Sequence, residues 1–508
     1  MACRPDQKSM LLGELLKGVA DSGSASRLLI NAISMDSRDI QQRSLFCAVV
    51  GATHHGLDYL KEVTEAGAVA VVAEVGGRWD RVSIADAAGR YGLPIILVED
   101  LGRKVGQLAS RFFGYPSQSL RVVGITGTNG KSSVAHYVAA ALAQKISAGV
   151  LGTLGNGLFG DLLPSSHTTL NPVALQAEIA HQLSQGAKAI AMEVSSHALD
   201  QSRVAGVTFH TVVFTNLSQD HLDYHKTMEA YAAAKTRLFR RAGVMHAVVN
   251  VDDAHGASMV AQYGRDQSFV AVSLKNQKSD VADRFIAASS VNSSSTGLKI
   301  TFDSSWGAGS ISSELMGEFN AENLLLSLGV LLSWEMPLET AIEVLQAVKS
   351  VPGRMQVIRS DKAPLVIVDF AHTPDALDQV LSVLRQQCDG QLVCVFGCGG
   401  NRDAMKRPLM GAAVQKHADV IWLTDDNPRD ESGDEIINQI KQGMQLTESV
   451  HVERDREKAI AKAIAAASID DVVLIAGKGH EAYQEIKGRK IAFSDQAVAE
   501  RVLTEVAA

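Results

Sequence analysis

Cysteine is scarce in this chain of 508 residues: five, at positions 3, 47, 388, 394 and 398, too few and too uneven for a disulfide scaffold. That scarcity points to reduced thiols and a cytoplasmic location. Long hydrophobic runs are missing too. The longest, Leu324 to Trp334, falls short of the ~20 residues a membrane span needs. Met1 to Met10 is polar, without the apolar segment of a signal peptide. Positive charge is in deficit, with 48 Lys and Arg against 56 Asp and Glu, a net charge of −8. A nucleic-acid binder held by bulk electrostatics is thereby excluded, and any anionic ligand must be gripped by local groups.

What is present is enough apolar side chain for several cores. Hydrophobic residues make up 46% and charged residues 20%, which excludes wholesale disorder, collagen and coiled coil. At about 150 residues per domain the length suggests three domains. Val- and Ile-rich runs alternate with helical patterns, as in parallel α/β sheets. The runs are 122–126, 189–194, 212–216, 248–251, 366–370, 393–396, 420–424 and 472–476, and polar, unusual residues follow nearly every one. Ligands of open α/β sheets sit beyond the carboxyl ends of strands, so chemistry is expected there. Turn-rich stretches near 114–117 and at Pro352-Gly353 divide the chain into 1–117, 118–352 and 353–508. The Ser-rich patch from Ser289 to Gly297 reads as a surface turn between strands.

The strongest local signal is Gly124-Ile-Thr-Gly127-Thr128-Asn129-Gly130-Lys131-Ser132-Ser133, between a strand and a helical pattern. Its glycines let backbone N–H groups wrap a polyphosphate, and the helix N-terminus adds positive potential. Lys131 would reach the outer phosphates and the Ser132 hydroxyl would bind Mg²⁺. Ile125 stands where the usual spacing has glycine, so the loop is a variant. Glu193 and His221 end later strands, where a buried carboxylate without a partner is costly. Alone, each reads as a satisfied structural residue. At strand tips in one segment with a phosphate loop they read as metal equipment. Lys235 reads as a solvated helix lysine, and Arg203 as a partner for an anionic substrate or for a surface carboxylate. In the last segment Arg402, Asp426-Asn427-Pro428-Arg429 and Gly477-Lys-Gly-His-Glu481 each follow a strand. Two arginine forks and a glutamate suit a zwitterion with more than one carboxylate. Gly397-Cys-Gly-Gly400 lacks the spacing of a dinucleotide turn and is given no role.

Taken in order, Asp36-Ser37-Arg38, Gly51 through Gly56, GTNGKSS, HTTLNP, MEVSSHALDQSR, FTNLSQDHLDYH, YAAAK, GEFNAENL, PGRMQ, DFAHTPDAL, GCGGNRDAMKRP, DDNPRDE and AGKGHEAYQ resemble the Mur ligases over nearly the whole chain. The resemblance is strongest to members that join meso-diaminopimelate to UDP-N-acetylmuramoyl-L-alanyl-D-glutamate. It implies three α/β domains: a UDP-binding domain, a central P-loop-type ATP-binding parallel sheet, and a C-terminal Rossmann-like domain for the amino acid. It implies that Ser37 and the stretch Ala52, Thr53, His54 and His55 lie near the uridine diphosphate. Thr168, Thr169, Ser195, Gln201 and Arg203 would bind the rest of that substrate. ATP would lie on Gly127–Ser133, with Asn320, Asn323 and Arg354 completing its site. Ser132 and Glu193 would share one Mg²⁺, His221 would bind a second, and Lys235 would be carbamylated.

By the same resemblance Arg402, Asp426, Asn427, Pro428, Arg429, Gly477 and Glu481 would hold diaminopimelate, with Glu481 meeting an ammonium group. Asp369 and His372 would belong to the interface formed when the third domain swings onto the second. The partners implied are small molecules only, met by a monomer that binds neither nucleic acid nor membrane. Departures from the family pattern are Ser132 for threonine, His55 for aspartate, Phe370 for tyrosine and His167 for asparagine. A ligase of the folylpolyglutamate type shares the ATP loop but not the Asp36-Ser37-Arg38 and DNPR patterns. A nucleotide-dependent switch protein would leave Glu193, His221, Lys235 and DNPR without a role. The DNPR reading carries an expected outcome: Arg429→Ala raises the amino-acid KM by orders of magnitude and leaves the KM for ATP nearly unchanged, and equal damage to both in steady-state kinetics contradicts it.

Overall fold

The computed structural model describes residues 9–51, 53–165, 167–264, 268–277, 282–294, 297–360 and 363–507. Chain contacts group into two compact units. The first comprises residues 1–126, 142–212 and 234–245, the second 127–141, 213–233 and 246–508.

In the first unit a four-stranded parallel sheet runs in chain order through Ala32–Ser34, Ser44–Ala48, Ala68–Ala73 and Ile95–Leu97. These short runs are apolar and buried, as strands covered on both faces must be. Its helix Arg81–Tyr91 starts at an Asp80 capping box and stops at Gly92, in the left-handed conformation that favours glycine. The same unit holds Arg121–Thr126 beside Ala189–Glu193, parallel and in register from Arg121 opposite Ala189 to Ile125 opposite Glu193. Beyond Ala189–Glu193 lie Ala148–Gly152 and two antiparallel strands, Gly155–Leu158 and Asp161–Leu163.

In the second unit His246–Asn250, Ser268–Ser273 and Arg284–Ser294 are parallel, and Gly297–Ser304 and Gly309–Ser313 return antiparallel. Helix Glu318–Ser333 contains most of the longest apolar run, and nearly all of its residues from Asn320 to Leu332 are buried, because a helix apolar on every side is stable only when enclosed. A six-stranded sheet lies wholly within residues 353–508. Its order is Gln356–Ile358, Leu365–Asp369, Val472–Ala476, Leu392–Phe396, Val420–Leu423, Val450–Val452, parallel apart from the first strand. Helices Pro374–Gln386 and Arg456–Ala466 pack on it, capped by Thr373 and Asp455.

All eight apolar runs singled out from the sequence are strands. The Ser-rich patch corrects an expectation. Residues up to Ser294 are strand, and Ser294 lies opposite Gly297 of the antiparallel partner, so most of the patch is strand rather than turn.

Candidate active site

Strand Thr211–Phe214 ends in Thr215 and Asn216, and the glycine loop is pressed onto that end. A Cβ on Gly127 would stand 1.8 Å from Thr215 Oγ1, and one on Gly130 would stand 2.6 Å from Asn323 Oδ1. Both residues have positive φ, 151° and 83°. Only glycine fits such an approach. The backbone is tied down on the same side. Thr128 N–H donates to Asn216 O (2.8 Å), Asn129 N–H to Asn216 Oδ1 (2.9 Å), and Thr215 Oγ1 to Asn129 O (2.5 Å). Lys131 Nζ donates to the loop carbonyls of Gly127 (3.0 Å) and Thr128 (2.8 Å), which holds its charge at the loop.

Ser132 and Ser133 are buried at the start of helix Lys131–Ala143. Arg354 donates to Ser132 Oγ (3.3 Å) and lies over the Phe370 ring at 4.5 Å. The PGR turn therefore reaches the loop. Asn320 and Asn323 are buried. Asn320 accepts from Tyr137 Oη (2.9 Å) and Asn323 Nδ2 and donates to Met316 O, so it braces the helix behind the loop. Glu322, between them, had no role in the sequence reading. It hydrogen-bonds Asn216, and desolvation, reinforced by Asp252, Asp253 and Asp375, pushes it up to about 8. Asp375 accepts from Asn129 Nδ2 (3.0 Å).

Glu193 is 1% exposed. It is in register with Ile125, two residues before the loop. It accepts from Thr153 N–H (2.8 Å) and Thr153 Oγ1 (3.2 Å), and a Cβ on Gly152 would stand 2.3 Å from its Oε1. Thr153 Oγ1 is also within hydrogen-bond distance of Thr168 Oγ1 (3.0 Å), and Thr169 Oγ1 donates to Glu193 O (2.9 Å) and accepts from Ser195 N–H. Ser195 caps helix Ser196–Asp200. Arg203 donates to Gln201 Oε1 and to Thr169 O (3.0 Å). The structure thus gathers Thr168, Thr169, Glu193, Ser195, Gln201 and Arg203, together with Thr153, which spacing did not reveal.

Lys235 corrects an expectation. It is 1% exposed on helix Met228–Thr236, not a solvated surface lysine. His221 takes the left-handed conformation, φ 56°, uncommon for a residue with a side chain. Its Nε2 is 3.4 Å from Asp220 Oδ2, and buried Lys406 Nζ is 3.8 Å from Asp220 Oδ1. Although burial works against ionisation, the charges of His221, Lys406 and His372 hold Asp220 well below the usual carboxylate range. Burial pushes His372 down to about 4, with Lys406 acting in the same sense. Asp369 accepts from Met355 and Ala371 N–H, both at 2.7 Å.

At the carboxyl edge of the six-stranded sheet, the loops after Val420–Leu423, Val472–Ala476 and Leu392–Phe396 converge. Arg429 has φ 52°; its Nε donates to Glu485 Oε2 (3.1 Å) and its Nη1 to Gly400 O (2.7 Å). Gly397-Cys-Gly-Gly400 acquires a role here. A Cβ on Gly400 would stand 2.0 Å from Pro428 O, so the motif lets the DNPR loop close down. Buried Arg407 holds Gly399 O and Glu431 in place. Arg402 is exposed. Asp426 is buried against Gly477, whose Cβ would stand 2.6 Å from Asp426 Oδ2. Glu481 accepts from Asn427 Nδ2 and Lys478 Nζ, both at 2.8 Å. Glu485 and Arg407 escaped the sequence reading because their partners lie at distances in the chain that local spacing does not encode; Lys478 lies within the GKGHE motif, but its second partner, Asn427, is set by the fold.

In the first unit Ser37 opens a turn capped by Asp36. Thr53 and His54 are exposed, and Ala52 lies outside the described residues. His55 is buried, with Nδ1 accepting from Leu57 N–H (3.0 Å) and Nε2 2.9 Å from Glu74 O. Both ring nitrogens serve the loop's own shape.

Residues 125–331 match the family model for the Mur ligase middle domain, and residues 353–479 that for the Mur ligase glutamate ligase domain. The UDP-N-acetylmuramoyl-L-alanyl-D-glutamate--2,6-diaminopimelate ligase of Coxiella burnetii is 46% identical over 94% of this chain and 96% of its own. The protein of the same name from Chromobacterium violaceum is 44% identical over 94% and 95%. A solved structure of such a ligase aligns with a TM-score of 0.68 at 34% identity, covering 98% of this chain and 99% of that one. MurF from Acinetobacter baumannii, at 15% identity and a TM-score of 0.66 over 99% and 100%, shares the fold.

Glu322 gives a pH test. Its folded pKa is raised, so the native state binds the proton more tightly than the unfolded chain does. Its contribution is therefore complete below the ordinary carboxyl pKa and is lost as pH rises through about 8. Denaturant unfolding of the protein and of Glu322→Gln between pH 5 and 8.5 should show the parent losing stability relative to the variant as pH rises; parallel curves contradict the assignment.

Proposed function

The chain belongs to the Mur ligase family, and from that premise we propose that it joins meso-diaminopimelate to UDP-N-acetylmuramoyl-L-alanyl-D-glutamate, using ATP, in peptidoglycan precursor synthesis. The observation that carries this reading is the convergence of Arg402, Arg429 and the Lys478-paired Glu481 on one sheet edge, in a chain whose glycine loop is built for polyphosphate. Lysine offers one carboxylate, whereas diaminopimelate offers two, and arginine forks match carboxylates.

The reaction divides into two displacements. The D-glutamyl carboxylate attacks the γ-phosphorus, ADP leaves, and an acyl phosphate forms. The amine of diaminopimelate, having lost a proton, then attacks the acyl carbon and expels phosphate. With Thr128 and Asn129 N–H tied to Asn216, the N–H groups from Gly130 to Ser133 at the helix start face the phosphates, and Lys131 moves from the loop carbonyls to the charge that grows on the transferring group. Arg354 and Asn323 complete the nucleotide site, with Asn320 behind them. Thr168, Thr169, Ser195, Gln201 and Arg203 orient the muramoyl peptide, and we assign Ser37 and the 52–55 stretch to the uridine diphosphate, with His55 shaping that loop.

Among the described residues no group of three or more His, Cys, Asp and Glu is placed to hold a metal. Mg²⁺ has no need of one, since it is bound by one or two carboxylates together with substrate phosphates and water. Oxygen donors such as the Ser132 hydroxyl, the buried Glu193 carboxylate and a carbamate on buried Lys235 are the kind it takes, and we assign His221 to a second ion. Bound there, Mg²⁺ would neutralise phosphate charge.

We assign the UDP-sugar to 1–117, ATP to 118–352 and the amino acid to 353–508. Among the described residues no helix is long and apolar enough to cross a membrane. Cys47, Cys388, Cys394 and Cys398 are free and buried, which agrees with a reducing cytoplasm. One chain supplies all these groups, so we assign a monomer.

The test is phosphate release from ATP with Mg²⁺ and UDP-muramoyl-dipeptide, with diaminopimelate, lysine or glutamate as the variable. Turnover should depend on diaminopimelate. Activity with folate and glutamate, or hydrolysis independent of any amino acid, overturns the reading.

A further inference from the structure

Lys478 is a lysine with no access to water, its side chain 0% exposed, in a loop otherwise assigned to the substrate. Its Nζ donates to Asn427 Oδ1 (3.0 Å) and to Glu481 Oε2 (2.8 Å), and Asn427 Nδ2 donates to that same Glu481 oxygen (2.8 Å). The three side chains close a ring in which each touches the other two. Asn427 Oδ1 also accepts from Glu485 N–H (2.9 Å), so the ring is bonded to the backbone beside the carboxylate that pairs with Arg429. Lys478 Nζ lies 5.6 Å from the centre of the Tyr483 ring.

Each cation around this ring is paired with a carboxylate. Arg429 faces Glu485 and Lys478 faces Glu481. Arg456, fully buried, is paired with Asp495 and lies within electrostatic reach of both Asp426 and Glu481. Without Lys478, Glu481 would present an unpaired, half-buried negative charge. Such a charge attracts any ammonium that reaches it, including the single terminal ammonium of lysine. With Lys478 in place Glu481 Oε2 is occupied and its charge offset. Its other oxygen remains a directional acceptor. A neutral zwitterionic end, one ammonium and one carboxylate, then enters without upsetting the balance, whereas a bare ammonium brings an extra positive charge beside Lys478.

We infer that Lys478 is a positioning residue for specificity: through Glu481 and Asn427 it sets the pocket's charge so that an amino acid with a zwitterionic distal end is accepted and one with a bare distal ammonium is rejected. This deepens the proposed function and rests on it. The principle is discrimination by a repulsive element as well as an attractive one.

The test compares Lys478→Met with the double variant Lys478→Met/Glu481→Gln in the full-length protein, with kcat/KM measured for diaminopimelate and for lysine and the KM for ATP in parallel. Lys478→Met should lower the diaminopimelate-to-lysine ratio at least tenfold, chiefly through the amino-acid KM, with the KM for ATP within about threefold of the parent. The double variant leaves no unpaired buried ion, so it remains measurable if the single one does not fold. Its ratio should return toward the parent value, because the pocket is again balanced. An unchanged ratio in Lys478→Met, or a ratio that stays low in the double variant, overturns the inference. A parent protein that does not use diaminopimelate at all overturns the proposed function instead.

Discussion

The structure turns on the close approach of a backbone loop to the end of a strand. Where Gly127 passes Thr215 there is no room for a β-carbon, and from that contact much of the nucleotide site follows. The loop's inward side is anchored by Asn216 and Thr215. Asn216 in turn bonds Glu322, and Asn129 bonds Asp375 at the start of a helix of the six-stranded sheet. One short loop is thus coupled to a carboxyl group held protonated by desolvation and to the first turn of a helix near the amino-acid pocket.

The second constraint is charge. A chain of net charge −8 that must hold anionic substrates cannot rely on its average field. Its useful cations are placed singly and secured by partners: Lys131 on loop carbonyls, Arg354 on Ser132, Arg429 on Glu485, Lys478 on Glu481. Buried ions of this kind contribute little net stability, since desolvation offsets much of their attraction. Their value lies in fixing orientation, so that a ligand meets groups already aimed.

Much of this could be read before the structure was known. The strand runs were legible because β-branched residues buried on both faces leave a continuous apolar signature, and the chemistry was legible because it sits just beyond them. The glycine-rich strands between Ala148 and Leu163 were not legible, since their pairing depends on glycine conformations rather than on alternation. The burial of Lys235 is not legible in its spacing, because it comes from tertiary packing that a nine-residue helix does not announce, and only the family resemblance sets this lysine apart. Glu322, Lys406, Lys478 and Glu485 were missed because each acts through a partner set by the fold. The GCGG turn was dismissed as a poor dinucleotide motif, and its role is steric, beneath Pro428.

On the proposed function two chemistries are separate: phosphoryl transfer organised by the glycine loop, and amine capture organised by the DNPR and GKGHE loops. If that division holds, the acyl phosphate forms before the amino acid is needed. Positional isotope exchange measures this directly, using ATP labelled with ¹⁸O in the β,γ bridge, Mg²⁺ and UDP-muramoyl-dipeptide without diaminopimelate. The label should scramble into non-bridging positions in a reaction that requires the dipeptide and is lost in Lys131→Ala. Scrambling that appears without the dipeptide, or only once diaminopimelate is added, would contradict that division.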